Sequence, residues 1–343
     1  MKALILESYN KLVYKDVEIP TLLENEVLVK VKACGICGSD IHGMDGSTGR
    51  RQPPLIMGHE AAGEIVSAGS LVSGWKIGDR VTFDSTVYRL DDWYTLEGKY
   101  NLSDKREVLG VSSDDFRRHG AFAEYVAIPD HILHHIPDSV SFEEAAMVEP
   151  VAVALHAIGK SKMQMGESCV VVGAGMIGIF LVKLLHKSGL ANLIVVDSSS
   201  SKREQALSEG ADICFAPGDK ELFDQLLKLT HNRGADLSFE VVGVTDSVAT
   251  AINVLRKGGR AVLVGNISKE VSFPLQKVVT SEIDLYSSCA IRGEYETVLT
   301  LIEKGTIDVK DMISKVAPLS EGPIWFEALK KGDTGLNKVI LVP

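Results

Sequence analysis

A glycine-rich turn in the second half of the chain places the tightest limit on the fold. The apolar run 169–172 is followed by Gly173, Gly175 and Gly178 in the spacing G-x-G-x-x-G, and an apolar stretch of helical character comes next. Asp197 ends the following apolar run, 19 positions after Gly178. A strand, a glycine turn, a helix and an acidic residue in this order are typical of a dinucleotide-binding βαβ unit.

Each of the three glycines has its own physical task in such a unit. Gly173 allows the chain to turn tightly after the strand, and Gly175 allows a pyrophosphate to approach the backbone. Gly178 lets the helix pack closely on the strand, while the free N–H groups at the helix N-terminus bind the phosphates. The alternative is a doubly wound domain whose glycines serve packing alone.

Asp197 sets the expected choice between the two nicotinamide dinucleotides. Its carboxylate is expected to accept hydrogen bonds from the adenosine ribose hydroxyls, and its charge repels a 2′-phosphate. The sequence therefore predicts NAD rather than NADP. Lys202 and Arg203 follow closely, and a cation at either position would weaken this preference.

Strand and helix patterns alternate through the region that contains this turn. Apolar runs at 193–197, 237–243 and 260–265 have strand length, and the segment 248–255 has helical character. This alternation predicts a parallel, doubly wound α/β sheet.

The first 150 or so residues have a different pattern, of short strands joined by glycine-containing turns. Examples are the runs 27–31, 62–66 and 123–128. A chain of 343 residues is long enough for two domains. We expect a β-rich domain followed by the α/β domain, with the last run, 338–342, pairing back onto the first domain.

Charge and cysteine content narrow the classes of function. With 36 Lys and Arg against 46 Asp and Glu, the net charge is −10, which argues against general binding to nucleic acid. No apolar stretch approaches the roughly 20 residues that a membrane span needs. Five cysteines without a secreted disulfide pattern favour a reduced, cytoplasmic protein that acts on a small molecule.

Four side chains of the β-rich region have the chemistry of zinc ligands. Cys37, His59, Glu60 and Glu149 offer a thiolate, an imidazole and two carboxylates. A catalytic zinc keeps one position open and acts as a Lewis acid on a bound alcohol. Taken singly, each has a plainer explanation: a small buried cysteine, a hydrogen-bonded core histidine, a glutamate paired with a lysine, or an anion at a helix N-terminus.

Ser39 and His42 lie two and five residues after Cys37. A proton released from an alcohol must leave a closed site. A hydroxyl followed by a histidine is suited to relay that proton to solvent.

Four segments together resemble the zinc-containing medium-chain dehydrogenase/reductase family: Cys34–His42, Gly58–Gly63, Gly74–Val81 and Glu149–Pro150. The resemblance covers nearly the whole chain. It implies a GroES-like β-rich catalytic domain at 1–148 and 288–343 and a Rossmann NAD-binding domain at 149–287. It also implies an active site in the cleft between these domains.

Position 149 is Glu rather than Cys, which is similar to the sorbitol, threonine and galactitol-phosphate dehydrogenase branch. In that branch Cys37, His59 and Glu60 correspond to zinc ligands. Glu149 corresponds to a ligand or to the residue that holds zinc-bound water, and whether Glu60 or Glu149 binds the resting metal stays open.

The resemblance also assigns the remaining functional positions. Ser39 and His42 match the family's proton relay. Its cofactor contacts are matched by Ile177, Asp197 and Lys202.

We add Val264 and Gly265, at the end of a later strand, to the predicted cofactor site. Arg292 resembles a position that touches substrate or a neighbouring subunit in polyol dehydrogenases.

The family often carries a second, structural zinc held by four cysteines, and this chain departs from that pattern. The matching positions are Arg89, Asp92, Thr95 and Ser103. We therefore predict one catalytic zinc per chain and no structural zinc. We expect an Arg89–Asp92 contact to replace the metal, together with packing of the aromatic residues Tyr88, Trp93, Tyr94 and Tyr100.

The segment Asp114–His119 contains two adjacent arginines. It is interpreted either as a substrate-lining loop whose arginines meet hydroxyls or a phosphate, or as a solvated surface loop.

The function favoured by these residues is zinc-dependent, NAD-linked oxidation of a secondary alcohol on a polyol or sugar-like substrate. Within the same enzyme class the alternatives are an L-threonine 3-dehydrogenase-like amino-alcohol dehydrogenase and a dehydrogenase of phosphorylated or cyclic polyols. A catalytically silent cofactor-binding relative and a zinc-free reductase would be expected to have damaged zinc positions. The family resemblance implies a homodimer or, preferably, a homotetramer.

Overall fold

The computed structural model describes residues 1–113, 116–332 and 335–343. These form two compact units, one of Met1–Ala152 with Ile291–Pro343 and one of Val153–Ala290. The boundaries between the units follow residues 152 and 290. The family resemblance implies domain boundaries after residues 148 and 287, a few residues earlier in each case.

The strands, in chain order, are β1 Lys2–Ser8, β2 Lys11–Asp16, β3 Glu26–Gly35, β4 Leu55–Ile56, β5 Glu60–Ala68, β6 Arg80–Phe83, β7 Thr86–Val87, β8 Glu107–Val108, β9 Ser112–Ser113, β10 Phe116–Arg117, β11 Tyr125–Pro129, β12 Leu133–His135, β13 Ser168–Val172, β14 Asn192–Val196, β15 Ile213–Phe215, β16 Ala235–Glu240, β17 Leu255–Leu263, β18 Asp284–Ser287, β19 Ile313–Pro318 and β20 Lys338–Val342.

The α-helices are α1 Gly38–Gly43, α2 Trp93–Leu96, α3 Phe142–Ala146, α4 Val148–Ser161, α5 Met176–His186, α6 Ser200–Ser208, α7 Glu221–Leu229, α8 Thr245–Asn253, α9 Leu275–Thr280, α10 Tyr295–Glu303 and α11 Gly322–Lys330. Short 3-10 turns occupy Tyr100–Leu102, Asp130–Ile132, Lys310–Met312 and Leu319–Glu321.

The first unit is built mainly from antiparallel strands. Its largest sheet has the order β12-β6-β5-β3-β20-β19, with β11 also pairing to β3. The C-terminal strand β20 pairs antiparallel with β3, at Ile340 opposite Gly35 and Leu341 opposite Cys34. The return of the last strand to the first domain, predicted from its apolar run, is thus confirmed.

The second unit is a six-stranded sheet in the order β15-β14-β13-β16-β17-β18, and every pairing in it is parallel. All five residues of β13 are buried, as expected for a strand covered by helices on both faces. The strand order reverses between β13 and β16, so the glycine turn that follows β13 lies at the switch point where such sheets bind ligands. The predicted α/β class, with a doubly wound parallel sheet, is confirmed.

Residues 88–103, which we call the lobe, fold around side-chain hydrogen bonds. The Asp92 carboxylate caps α2 by accepting from the N–H groups of Tyr94 and Thr95, at 2.9 and 3.3 Å. The Ser103 hydroxyl accepts from the N–H of Arg89 at 3.3 Å. Two of the four positions at which the family has cysteines, 92 and 103, therefore hold polar side chains that join parts of the lobe.

The predicted partner of Arg89 is wrong by one residue. Its guanidinium pairs with Asp91, at 3.0 and 3.1 Å, rather than with Asp92. Asp92 is occupied by the N-terminus of α2. The Tyr88 and Tyr100 rings stack with centroids 4.3 Å apart, whereas the side chain of Trp93 is largely exposed.

Candidate metal and nucleotide sites

Cys37 follows the end of β3 and lies at the N-terminus of α1. Cys37 is the N-cap of this helix, and its Sγ accepts from the Ser39 N–H at 3.4 Å and from the Ser39 hydroxyl at 3.2 Å. The Cys37 N–H donates in turn to the Asp40 carboxylate at 3.3 Å. The thiol therefore sits on a fixed helix end, within reach of two hydrogen-bond donors.

His59 and Glu60 reach Cys37 because β5 pairs with β3. Glu60 begins β5 and lies opposite Gly35 in the antiparallel register. A Cβ at position 35 would lie 2.4 Å from the Glu60 Oε2 atom, so glycine is needed where the carboxylate crosses the strand. Donor atoms of Cys37, His59 and Glu60 all lie within 4.8 Å of one another.

These three residues, which we call the ligand cluster, fit a metal ion. The His59 Nδ1 atom is buried and makes no hydrogen bond among the described residues, although the Asp40 Oδ1 atom lies 3.6 Å away. A thiol, an imidazole nitrogen and a carboxylate at this spacing form a donor set typical of zinc. An unpaired buried nitrogen is costly unless a ligand uses it.

Glu60 has a second partner that the sequence analysis missed. The Lys338 ammonium donates to the Glu60 carboxylate at 2.5 Å and to the Ile36 carbonyl at 3.2 Å, and both charged side chains are almost fully buried. Burial favours the neutral amine, but the charges of Glu60 and Cys37 raise the pKa of Lys338. The sequence signal for this ion pair is the lysine at the start of the otherwise apolar strand β20.

Glu149 lies in the first turn of α4 and interacts electrostatically with the ligand cluster. Burial raises the pKa of its carboxyl to about 8, against the lowering effect of His59 and with a further increase from Glu60. Burial and the Glu60 charge also raise the pKa of the Cys37 thiol to about 12. Both acids are thus held largely in their neutral forms, and a divalent cation would favour their charged forms.

Ser39 and His42 are both exposed and lie three residues apart on α1, so they share one face of the helix. The Ser39 hydroxyl accepts from the Arg51 guanidinium at 3.2 Å while donating to Cys37. Sequence reasoning gave no role to Arg51.

The glycine turn of the second unit has the geometry expected of each glycine. Gly173 has φ of +102°, which favours glycine. A Cβ at Gly178 would lie 2.0 Å from the Gly173 carbonyl oxygen, so helix and strand are in backbone contact. Gly175 is the N-cap of α5, and no atom lies within 4 Å of its virtual Cβ.

Asp197 lies beside this turn, at the end of β14. Its carboxylate accepts from the N–H of Ala174 at 2.6 Å and from the N–H of Ser199 at 2.8 Å. Arg203 donates to the backbone carbonyls of Asp197 and Ser198, at 2.7 and 3.0 Å. Lys202 is exposed. Of the two cations that would weaken the preference for NAD, Arg203 therefore donates hydrogen bonds to the backbone.

The other predicted cofactor positions lie in the first turn of α5 and just after β17. Ile177 is partly exposed in the first turn of α5. The N–H groups of Val264 and Gly265 both donate to the Glu240 carbonyl, at 2.8 and 3.1 Å. Sequence reasoning missed Glu240, a fully buried acid whose carboxylate also accepts from the N–H groups of the turn after β16.

The Asp114–His119 segment is described only in part. Asp114 and Asp115 lie outside the described residues. Arg118 forms ion pairs with Glu26 and Glu107, the latter at 2.9 Å, so its guanidinium is committed to protein carboxylates.

Arg292, at a position that touches substrate or a neighbouring subunit in polyol dehydrogenases, is exposed. Its backbone N–H donates to the Glu294 carboxylate.

Two families match the chain: the alcohol dehydrogenase GroES-like domain over residues 23–138 and the zinc-binding dehydrogenase family over residues 177–304. Sorbitol dehydrogenase of Bacillus subtilis is 31% identical over 347 residues, covering 100% of this chain and 97% of its own length. The chain belongs to the zinc-dependent alcohol dehydrogenase family. It is therefore an enzyme, a dehydrogenase, as the sequence predicts.

Two solved structures of similar fold each cover the whole chain and 99% of their own. A short chain alcohol dehydrogenase from Escherichia coli complexed with NADH has a TM-score of 0.92 at 27% identity. A protein from Sinorhizobium meliloti 1021 bound to NADP has a TM-score of 0.88 at 28% identity. Both of these neighbours thus carry a nicotinamide dinucleotide. In the described part of the present chain, every helix is too short or too polar to span a bilayer.

Proposed function

We propose that this dehydrogenase oxidises a secondary alcohol on a polyol or sugar-like substrate, with zinc at the ligand cluster and with NAD as hydride acceptor. The observation that carries the proposal is the convergence of Cys37, His59 and Glu60 within 4.8 Å, next to Glu149. A catalytically silent relative would not need to keep this donor set intact.

Cys37 and His59 would hold the metal together with one of the two carboxylates. Bound zinc would supply a Lewis acid that promotes loss of the alcohol proton near neutral pH. Lys338 competes for Glu60 through its short buried ion pair, whereas Glu149 forms no ion pair with another described residue. Either carboxylate would complete the ligand set: Glu60 if it leaves Lys338, and Glu149 if Glu60 stays paired.

The Ser39 hydroxyl accepts the proton that the alcohol releases and passes it toward His42. A hydroxyl can donate one hydrogen bond while accepting two, so Ser39 can exchange its bond to Cys37 for a bond along the relay. His42 is exposed on the same face of α1, where it can return the proton to water.

The preference for NAD over NADP rests on Asp197. Its carboxylate is already held by two N–H groups, so it is fixed where a 2′-phosphate would be repelled. The variant Asp197→Asn is expected to raise kcat/KM for NADP relative to NAD by on the order of tenfold or more, because the repulsion is removed. An unchanged ratio would mean that Asp197 does not read the ribose.

We propose one zinc per chain, because the lobe is joined by hydrogen bonds and ring stacking where relatives use a metal. Arg89, Asp92, Thr95 and Ser103 offer no thiolate. Metal analysis of the purified protein checks this stoichiometry, and two tightly held zinc ions per chain would contradict it.

We also propose that copies associate through the edge of the parallel sheet. Strand β18 ends the sheet order and three of its four residues are exposed. One of these three is the large apolar residue Leu285, and Phe273, Leu275 and Val279 are exposed in the segment that precedes β18. An open edge of this kind pairs readily with another strand. Light scattering distinguishes a monomer, which would sink the idea, from a dimer or tetramer.

The first test of function is NADH formation from NAD with a panel of polyols, inositols, sugar phosphates and L-threonine, each with and without a zinc chelator. Chelator-sensitive activity on one polyol group is expected. Activity confined to L-threonine or to phosphorylated or cyclic polyols would favour the corresponding alternative. Chelator-resistant turnover would overturn the zinc mechanism.

A further inference from the structure

Arg51 is a buried cation beside the ligand cluster, and neither the proton relay nor the metal-ligand set includes it. Its side chain is 2% exposed. One guanidinium nitrogen donates both to the Asp40 carboxylate at 2.9 Å and to the Ser39 hydroxyl at 3.2 Å, and the other terminal nitrogen donates to the Arg50 carbonyl at 3.2 Å.

Its two side-chain partners, Ser39 and Asp40, both contact members of the ligand cluster. Asp40 is fully buried, lies 3.6 Å from the unpaired His59 Nδ1 atom and accepts from the Cys37 N–H. The Ser39 hydroxyl donates to the Cys37 thiol at 3.2 Å. A single guanidinium nitrogen thus joins the groups that contact two of the expected metal ligands.

The glycine at position 43 leaves room for the Arg51 side chain. A Cβ at Gly43 would lie 2.5 Å from the Arg51 Cγ atom, so the last turn of α1 lies directly against the arginine stem. The Arg51 Nε atom is buried and makes no hydrogen bond among the described residues. A buried ion pair with an unsatisfied donor is a poor device for stability alone.

We propose that Arg51 is a positioning residue for the dehydrogenase reaction, one that fixes the Ser39 hydroxyl and the Asp40 carboxylate against Cys37 and His59. The inference rests on the proposed function. By filling one acceptor position of the Ser39 oxygen, Arg51 holds the hydroxyl in place and leaves its second acceptor position for the substrate. By pairing with Asp40, it holds this carboxylate beside the His59 ring.

The test compares the wild type with Arg51→Met and Arg51→Lys, using Arg80→Met as a matched control. Arg80 is a partly buried arginine of the same unit that donates to the carbonyls of Pro137, Asp138 and Val140. Four readouts are taken: thermal stability, zinc affinity by chelator competition, the visible spectrum of the Co²⁺-substituted protein, and kcat with KM.

For Arg51→Met we expect zinc affinity and kcat each to fall by about 10- to 100-fold, as for other residues that orient metal ligands, with an altered Co²⁺ spectrum. Arg51→Lys is expected to recover more stability than kcat, because an ammonium is a point charge and lacks the planar, multi-donor guanidinium. Arg80→Met is expected to lose stability while zinc affinity and spectrum stay as in the wild type.

If Arg51→Met does not fold, the decision falls to Arg51→Lys in a double-mutant cycle with Ser39→Ala. Losses in kcat that are clearly less than additive support action through Ser39, and additive losses overturn it. Unchanged zinc affinity and spectrum in the folded Arg51 variants would reduce the residue to a structural ion pair. A wild-type protein without a thiolate-to-Co²⁺ absorption band would instead sink the proposed function itself.

Discussion

The ligand cluster and the glycine turn prepare their sites by different means. Around Cys37, charged and polar side chains from distant parts of the chain converge, and burial together with their mutual charges shifts their pKa values. At 173–178 the site is a contiguous stretch of chain whose three glycines allow a tight turn and close approach to the backbone. A substitution should therefore alter chemistry at the cluster, but shape at the turn.

The largest effect is expected at the cluster. Cys37→Ala should lower turnover by at least about 10³-fold, because activation by the metal is worth several kcal/mol, while NAD affinity stays near that of the wild type. Turnover and NADH fluorescence titration measure the two quantities, with the exposed Cys289→Ala as control. Near-normal turnover by metal-stripped Cys37→Ala would abolish the distinction between the two sites.

The second prediction divides two glycines of the same turn. Gly178→Ala should destabilise the fold by about 1–3 kcal/mol, because its Cβ meets the Gly173 carbonyl oxygen at 2.0 Å. Gly175→Ala has free space and should keep its melting temperature while losing NAD affinity by on the order of tenfold or more. Equal behaviour of the two variants in denaturation and in NADH binding would refute these separate roles.

The third prediction concerns the buried pair of Lys338 and Glu60. Lys338→Met leaves a buried carboxylate without its cation and should cost about 3–5 kcal/mol in the metal-free protein. The double variant with Glu60→Gln removes both charges and should recover much of that loss. Denaturant unfolding measures each variant, and a double variant no more stable than Lys338→Met would contradict the pairing.

The smallest effect is expected at Asp84, a buried acid that forms no ion pair with another described residue. Burial raises the pKa of its carboxyl from 3.8 to about 7. Between these values the folded protein binds more protons than the unfolded chain, so this carboxyl's contribution to stability is lost as pH rises through about 7. The melting temperature of Asp84→Asn relative to the wild type should therefore increase from pH 4 to pH 8.

Asp16 provides the opposite case, because its hydrogen bond to Lys2 lowers the pKa of its exposed carboxyl. Asp16→Asn should show a weak trend of reversed sign over the acidic range. A flat difference for Asp84→Asn would mean that Asp84 is ionised throughout.

Patterns that are local in sequence predicted most of the fold. The apolar runs at 193–197 and 338–342 became β14 and β20 within one residue, because burial of a strand leaves a direct mark on composition. The predicted Arg89–Asp92 contact is wrong for a local reason. The Asp92 carboxylate caps the N-terminus of α2, and the Arg89 guanidinium pairs with Asp91 instead.

The sequence by itself determined the α/β class, the glycine turn with Asp197, and the residues Cys37, His59, Glu60 and Glu149 as candidates for a metal site. The side chains that pair with these residues and their neighbours became apparent only from the three-dimensional arrangement. Lys338 lies 278 positions from Glu60, and Arg51 lies 12 from Ser39 in an irregular segment. Neither separation corresponds to the repeat of a helix or a strand, so neither pair can be predicted from the sequence. Such pairs are formed by strand pairing and chain packing rather than by local geometry.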